Sequence, residues 1–470
     1  MGTVTLSRRG KRYPKPCKAH RGPPVVARPK ELGAVPELTR LEEAVAEEFL
    51  PLMRQRLADE VAALEAAFSL RRHCCEECGA EMRPNGVKRK GCLTRFGMVP
   101  VPSHVLRCPK CQTSKRPFLL HLGLETTGRL SPSLARLVAL MATVVPYQLA
   151  VVLLRQFLGV TVSAMTVWRN AQRLGEAQDQ QVLKQAEYDR QPGRADERSQ
   201  DAPAVVVAGT DGCALGMQVR SKRRRRKDAE ELPALPALED GHFREVKSGV
   251  LLLPSERVET SPGRQSVVRR ALVTCLGNAD LVFDLMWSKL QQMQWLGPQT
   301  VVVVIGDGAE WIWNRAMMFP NRCEILDFWH AVEKGWEWAR IRFGAESAAA
   351  KKMMKGITAN LRAGKVDEVI KQLLCIEART PEEAEKLAAL VRYYKANKGR
   401  MKYAEYRRLN YGIGSGAIES AHKQLVQARF RQAGMRWSEN GARRLLALRV
   451  TLLNGEWERL QRLPLARVAA

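Results

Sequence analysis

Apolar and polar positions along this chain switch between a strand-like and a helix-like period. The plainest strand is residues 301–305, VVVVI, with no polar position at all. Such a run predicts a strand covered on both faces. It ends at Gly306-Asp307-Gly308, so a carboxylate stands at the carboxyl end of the strand, where open α/β sheets bind ligands. Residues 204–208 (AVVVA) predict a second strand running into Gly209-Thr210-Asp211-Gly212, with residues 213–219 returning as the next. Residues 243–253 and 271–276 predict two more. Residues 324–327 predict a short one that again ends in an acid, Asp327. Helical spacing marks residues 281–294, 309–317 and the whole of 331–402, with breaks near Gly344, Gly364 and Thr380-Pro381. A glycine-rich entry at 411–415 leads into a helix to about Arg431, and Trp437-Ser438 opens a last one ending near Asn454.

The N-terminal half reads differently. Residues 1–36 are rich in Arg, Lys, Pro and Gly and predict a mobile basic tail. Residues 37–70 predict a helix with Leu50, Leu57 and Leu64 seven apart. That spacing suits packing against another domain, or self-association. Residues 71–120 predict a zinc ribbon, 128–176 a helix–turn–helix DNA-binding region, and 177–203 a polar linker. The catalytic candidates fall in 204–330 and 411–470, with 331–410 as an all-helical insertion between them. The expected fold class is multi-domain α/β.

With 470 residues the chain exceeds one ordinary core. Its net charge of +27 argues for a polyanionic partner, nucleic acid first. No window approaches the ~18 apolar residues of a membrane span, and no apolar signal core follows the N-terminus. A cytoplasmic protein with no membrane partner is therefore expected. Eleven cysteines include two CxxC pairs, which fits metal ligation in a reducing compartment.

Those pairs are Cys75-Glu76-Glu77-Cys78 and Cys108-Pro109-Lys110-Cys111. Each CxxC turn offers two sulfurs on one side of the backbone, and two such turns suit a tetrahedral four-thiolate Zn²⁺ site. Buried free thiols are the plain alternative. Cys74 and Cys92 are expected to be bystanders. In the next region, residues 146–159 read as a helix ending in glycine, and Ser163 as the cap of a second helix at 164–174. Thr166, Arg169, Asn170 and Arg173 then fall on its expected exposed face. A plain helical hairpin has the same pattern, and the net charge favours the DNA-binding reading. The basic loop SKRRRRKD at 221–228 either touches phosphates or is merely solvated.

Asp211, Asp307 and Glu419 are the acids that spacing selects. The first two end neighbouring strands, and the third is delivered by a helix with a glycine-rich entry. Glu419 is flanked by Ala417, Ile418, Ser420 and Ala421, so a packed neighbourhood is expected. Three carboxylates suit a pair of Mg²⁺ (or Mn²⁺) ions. Asp327 and His330 are expected to support that site, or to make a hydrogen bond that serves only the fold.

At GTDGCALGMQVR, REVKSGVL, VVVIGDGAEWIWN, ILDFWHA and GIGSGAIESAHKQLVQARFRQAGMRWS the chain resembles the DDE transposases of bacterial insertion sequences, of the Kra-type branch. The resemblance spans most of residues 204–454. It implies a ribonuclease-H-like mixed-sheet core, with the three acids at Asp211, Asp307 and Glu419 and an acid-x-x-His pair at Asp327 and His330. Glu419 lies 112 residues beyond Asp307, a gap that the family's helical insertion accounts for. The implied reaction is metal-dependent strand cleavage at transposon ends, then attack of the freed 3′-hydroxyl on target DNA. The implied partners are the terminal inverted repeats and target DNA, with a homodimer or larger assembly to hold two ends.

Overall fold

The computed structural model of the chain describes residues 36–69, 71–124, 128–194, 199–218, 243–261, 264–345 and 347–463. The basic segment at 1–35 and the arginine-rich loop at 221–228 lie outside the described residues.

A 33-residue helix, α1 (Glu37–Ser69), comes first and carries Pro51 inside it. An antiparallel three-stranded sheet follows: β1 (Arg83–Thr94), β2 (Gly97–Arg107) and β3 (Ser114–Lys115), then a short helix α2 (Pro117–His121). The C-terminal half of α1 docks on this ribbon. Buried Glu65 accepts the His104 backbone N–H at 2.8 Å and lies 2.7 Å from its Nδ1, while Phe68 meets Phe118 of α2. Packing against another domain is thus the arrangement observed. Leu38, Leu41 and Val45, in the N-terminal half, are exposed.

Next come α3 (Pro132–Val144), α4 (Tyr147–Leu158) and α5 (Ala164–Asp189). They share an apolar cluster of their own, including Leu134, Val138, Leu154, Val162 and Val167. Ser131 and Ser163 cap α3 and α5, accepting the Leu134 and Thr166 N–H groups, and left-handed Gly159 (φ 61°) ends α4. The helix–turn–helix boundaries agree with the sequence pattern, but α5 does not stop near Leu174. It runs 26 residues to Asp189, so residues 177–189 of the expected linker are helix. Val182, Ala186 and Asp189 form its inward row at helical spacing. One of these is small and one polar, which is why the apolar period fades there. Asp189 is held by Ser288 Oγ at 2.5 Å.

The main sheet is built from β4 (Val205–Gly216), β5 (Phe243–Leu252), β8 (Arg270–Leu276), β9 (Val301–Gly306) and β10 (Arg322–Leu326), counting in chain order past a separate hairpin β6 (Arg257–Ser261) and β7 (Arg264–Val267). Its order is β10-β9-β4-β5-β8. β5 is antiparallel to both neighbours, whereas β4, β9 and β10 are parallel. The result is a mixed sheet, with α6 (Ala279–Gln292) and α7 (Glu310–Ala316) on the crossovers. Val302, Val303, Val304, Val206, Ala208, Val250 and Leu251 are essentially inaccessible. Burying a valine or leucine side chain contributes roughly 1.5–3 kcal/mol, so this centre anchors the fold. The β6–β7 hairpin was not expected, because Arg257, Glu259 and Arg264 interrupt any apolar alternation.

Five helices follow β10: α8 (Phe328–Phe343), α9 (Ala348–Arg362), α10 (Val366–Leu374), α11 (Pro381–Asn397) and α12 (Tyr403–Arg408). The chain then returns to the sheet with α13 (Gly416–His422), a π-helical turn (Lys423–Gln427), α14 (Ala428–Phe430) and α15 (Glu439–Leu453). This last part also binds the N-terminal helices. Arg444 pairs with Glu176 of α5, and Arg443 lies 3.5 Å from Asp179. Buried Arg429 and Arg449 donate to the Ala142 and Thr143 carbonyls at 2.9 and 2.6 Å. Cations at these last carbonyls of α3 also complement its helix dipole. Among the described residues no helix is long and apolar enough to cross a membrane.

Candidate active site and metal centre

Cys75, Cys78, Cys108 and Cys111 gather at one end of the ribbon, their sulfurs all within 4.8 Å of one another. Cys75 and Cys108 are buried. The Glu77 backbone N–H pulls the Cys75 thiol down to about 6, and the neighbouring Cys78 pushes Cys111 up to about 12. Four sulfurs this close cannot all be thiolates unless a cation shares their charge. The cluster can therefore hold a structural metal such as zinc. Cys74 is exposed and Cys92 is buried among Val101 and Phe118, so both stand apart from it.

The acids lie on the large sheet. Asp211 does not end a strand as the sequence suggested, because β4 continues through it, paired with Ser248 of β5. The Asp211-Gly212 pair reads locally as a turn, but the long antiparallel ladder to β5 holds it extended. The two aspartates are still brought together. The parallel β4–β9 ladder closes at Gly209 opposite Ile305, and Asp211 and Asp307 each stand two residues further on. Asp211 Oδ1 accepts the Gly212 N–H at 2.7 Å, and Asp307 Oδ1 accepts the Ala309 N–H at 2.9 Å. Burial pushes Asp211 up to about 6, opposed by the Gly212 N–H and reinforced by the charge of Asp307.

Asp327 caps α8 and is fully buried. It accepts the His330 N–H at 2.7 Å, faces His330 Nδ1 at 3.2 Å, and takes the Ser415 N–H. Burial pulls its carboxyl upward, but these donors outweigh it and hold it below the ordinary range. His330 is raised by its bond to Asp327 against the effect of burial, with Asp307 and Asp211 adding to the pull. One imidazole thus senses all three aspartates.

Glu419 departs from expectation. It is exposed, and its Oε1 accepts Ser415 Oγ at 3.0 Å. Its small neighbours leave it uncovered where they were read as packing around it. Among the described residues the four cysteines are the only group of three or more such side chains with ligand atoms all within 4.8 Å of one another, so the three carboxylates are not gathered to that degree. Helix spacing nevertheless places Glu419 on the site's side. Ser415, Glu419 and His422 recur at i, i+4 and i+7; Ser415 meets Asp327, and His422 Nδ1 lies 3.7 Å from Asp211 Oδ2. His422 is buried, its Nε2 has no hydrogen-bond partner among the described residues, and burial lowers its pKa. The π-helical turn begins at the next residue, a distortion frequent at functional sites.

Three groups at or beside the site, Glu245, Lys247 and His422, were missed by sequence reasoning. Glu245 of β5 lays its carboxylate against Gly212, where any side chain at that position would collide with it. Its own partner is buried Lys247, which also stands 4.0 Å over the Trp311 ring. Their alternation in FREVKSGVL was visible, but nothing local ties them to Asp211. His422 was likewise legible only as the third member of the Ser415–Glu419 face.

The four residues expected to contact DNA divide. Arg169 is exposed and Thr166 half-buried near the start of α5. Asn170 and Arg173 are not on the exposed face. Asn170 is 4% accessible and donates to the Ala135 carbonyl of α3, and Arg173 donates to Asn170 Oδ1 at 2.9 Å. Polar residues at these positions looked solvent-directed, but α3 covers them. Trp168 and Met165 are exposed beside Arg169 instead.

No protein-family model matches the chain. It is similar to a Streptococcus gallolyticus protein named "UPF0236 protein in vanSb 3′ region", 24% identical over 372 residues, which are 77% of this chain and 72% of that protein.

Proposed function

We propose that this chain is a DNA transposase of the DDE type, binding the ends of an insertion sequence and catalysing strand cleavage and strand transfer. The observation that carries the reading is the matched height of Asp211 and Asp307 beyond the last β4–β9 pair, with Glu419 on the adjoining helix face. A mixed sheet, then five helices, then the helix bearing the glutamate is the layout that a ribonuclease-H-like core with a helical insertion requires. Asp211 and Asp307 fit a hard divalent cation such as Mg²⁺ or Mn²⁺, since both are oxygen ligands and the burial that raises Asp211 favours a compensating positive charge. Such ions, when bound, supply Lewis acidity toward a phosphodiester. Glu419 would complete the ligand set. His330 orients and partly neutralises the aspartates, and Asp327 fixes both His330 and the entry to α13. The four-cysteine ribbon and the α4–α5 unit supply end recognition, with DNA as the partner for the chain's +27 charge.

A second reading, a non-catalytic DNA-binding descendant of a transposase, is favoured by one observation: Glu419 is exposed and not gathered with the aspartates. Incubating the protein with DNA carrying the flanking repeats of its own coding region, with and without Mn²⁺, separates the two. Metal-dependent nicking at the repeat ends, lost in Asp307→Asn, supports the transposase. End binding with no nicking under any divalent ion supports the descendant.

A further inference from the structure

The first turn of α8 carries two neighbours with opposite surroundings. His330 faces the aspartates. Trp329, one residue earlier, is 57% exposed. Its indole rests on the chain that enters α13, where a Cβ on Gly414 would stand 3.3 Å from the ring's Cδ1 and 3.9 Å from the Asp327 carboxylate. A glycine there lets the ring sit at the edge of the acidic site. On another side it meets Phe328 edge-on, with centroids 5.2 Å apart, and Phe328 is itself fixed against Tyr403. The indole is thus a flat apolar surface held by its neighbours yet open to solvent.

The groups around it are cationic. The guanidinium of Arg362, at the end of α9, lies 5.9 Å from the Trp329 ring and 5.1 Å from Phe328. Lys352, Lys355 and Arg362 are all exposed and share one face of α9, with the small residues Gly356 and Ala359 between them. An aromatic surface at the head of a cationic track is the combination that binds single-stranded nucleic acid: bases stack on the ring, and the phosphates follow the charges.

We propose that Trp329 is a stacking platform for an unpaired nucleobase, with Arg362, Lys355 and Lys352 following the phosphates of the same strand away from the acids. This rests on the reading that the chain acts on DNA. The track also offsets the repulsion that Asp211, Asp307 and Asp327 impose on an incoming phosphate.

Fluorescence anisotropy of full-length protein with a labelled oligothymidine strand, and with a duplex of equal length, tests it. Trp329→Ala is expected to weaken oligothymidine binding roughly tenfold or more, Trp329→Phe to retain most of it, and neither to change duplex affinity appreciably. Lys352→Gln with Lys355→Gln is expected to flatten the salt dependence of single-strand binding. Native-like oligothymidine affinity in Trp329→Ala overturns the platform alone, as does native protein that binds duplex but not the single strand. A change in the sedimentation of DNA-free protein on Trp329→Ala would also overturn it, by showing that a second copy covers the indole. If the native chain binds neither form of DNA, the DNA reading itself fails and the platform falls with it. Melting curves for each variant confirm that an exposed side chain was changed in a folded protein.

Discussion

The four sulfurs of the ribbon come from two tight turns 30 residues apart and already lie within 4.8 Å of one another. The three acids come from a strand, the turn after a second strand, and a helix, between residues 211 and 419, and they are not gathered in this way. The difference is one of construction. Each cysteine pair is positioned by its own turn, so a hairpin is enough to present four ligands. The acids are positioned by a sheet register, a helix cap and the docking of α13. Their mutual repulsion opposes a closer approach. One centre is local, and the other is a property of the whole core.

The largest expected effect comes from removing an acid of the sheet. Asp211→Asn or Asp307→Asn should abolish Mn²⁺-dependent cleavage, a loss well beyond the ~10–100-fold that a supporting residue such as His330 should cost. Both should leave end binding within twofold of native. Parallel loss of DNA binding and cleavage would mean that the two centres are not separable in this way.

Breaking the local centre should give the converse. Cys108→Ser should eliminate tightly bound zinc and weaken end-specific binding, while nicking of non-specific DNA survives. Metal analysis of purified native protein that finds no zinc would remove this half of the comparison.

Protonation gives a smaller effect. Burial penalises the charge of Asp211 and pushes it up to about 6, above its ordinary 3.8. A raised acid favours the folded state most below its unfolded value, and that contribution is lost as pH rises through about 6. Metal-free Asp211→Asn should therefore melt higher than native protein at pH 8, and the gap should shrink toward pH 5. A constant gap across that range would rule out this residue as the source.

The smallest effect distinguishes two arginines on one helix. Arg169→Ala should cost about 1–3 kcal/mol of discrimination between end DNA and random DNA if it reaches a base edge. Arg173→Ala should instead lower the melting temperature, since Arg173 braces Asn170 beneath α3. The opposite assignment would show that α5 presents another face to DNA.

What could be read from the sequence follows the same division. Strands 301–305 and 271–276 and the caps at Ser131, Ser163 and Ser438 arise from local periods and local hydrogen bonds; both strands and the Ser163 cap were legible, and Ser438 was read as a helix start. The four cysteines were legible too. The matched height of Asp211 and Asp307 was foreseen only as convergence, for the wrong local reason, since Asp211 lies within a strand. Glu245 and Lys247 reach the site through a cross-strand register that no local pattern encodes. Asn170 and Arg173 were misplaced because the element covering them, α3, lies 35 residues from its bond to Asn170. Glu419 was misjudged because small flanking side chains were read as a sign of packing, although they can equally leave a carboxylate uncovered.

The unbroken run of α5 makes the molecule a ruler. Twenty-six residues span roughly 39 Å at 1.5 Å per residue. The first two turns belong to the α3–α4 unit, and the far half is clamped by Arg443, Arg444 and Ser288. Length and azimuth are thereby set together: one inserted residue in its middle would push the two ends apart by about 1.5 Å and turn one against the other by about 100°. On B-DNA, where each base pair advances about 3.4 Å, that rotation would swing a groove-seated side chain onto the backbone. On the proposed function, the length of α5 and the grip of Arg429 and Arg449 on the end of α3 together set where Arg169 stands relative to Asp211 and Asp307.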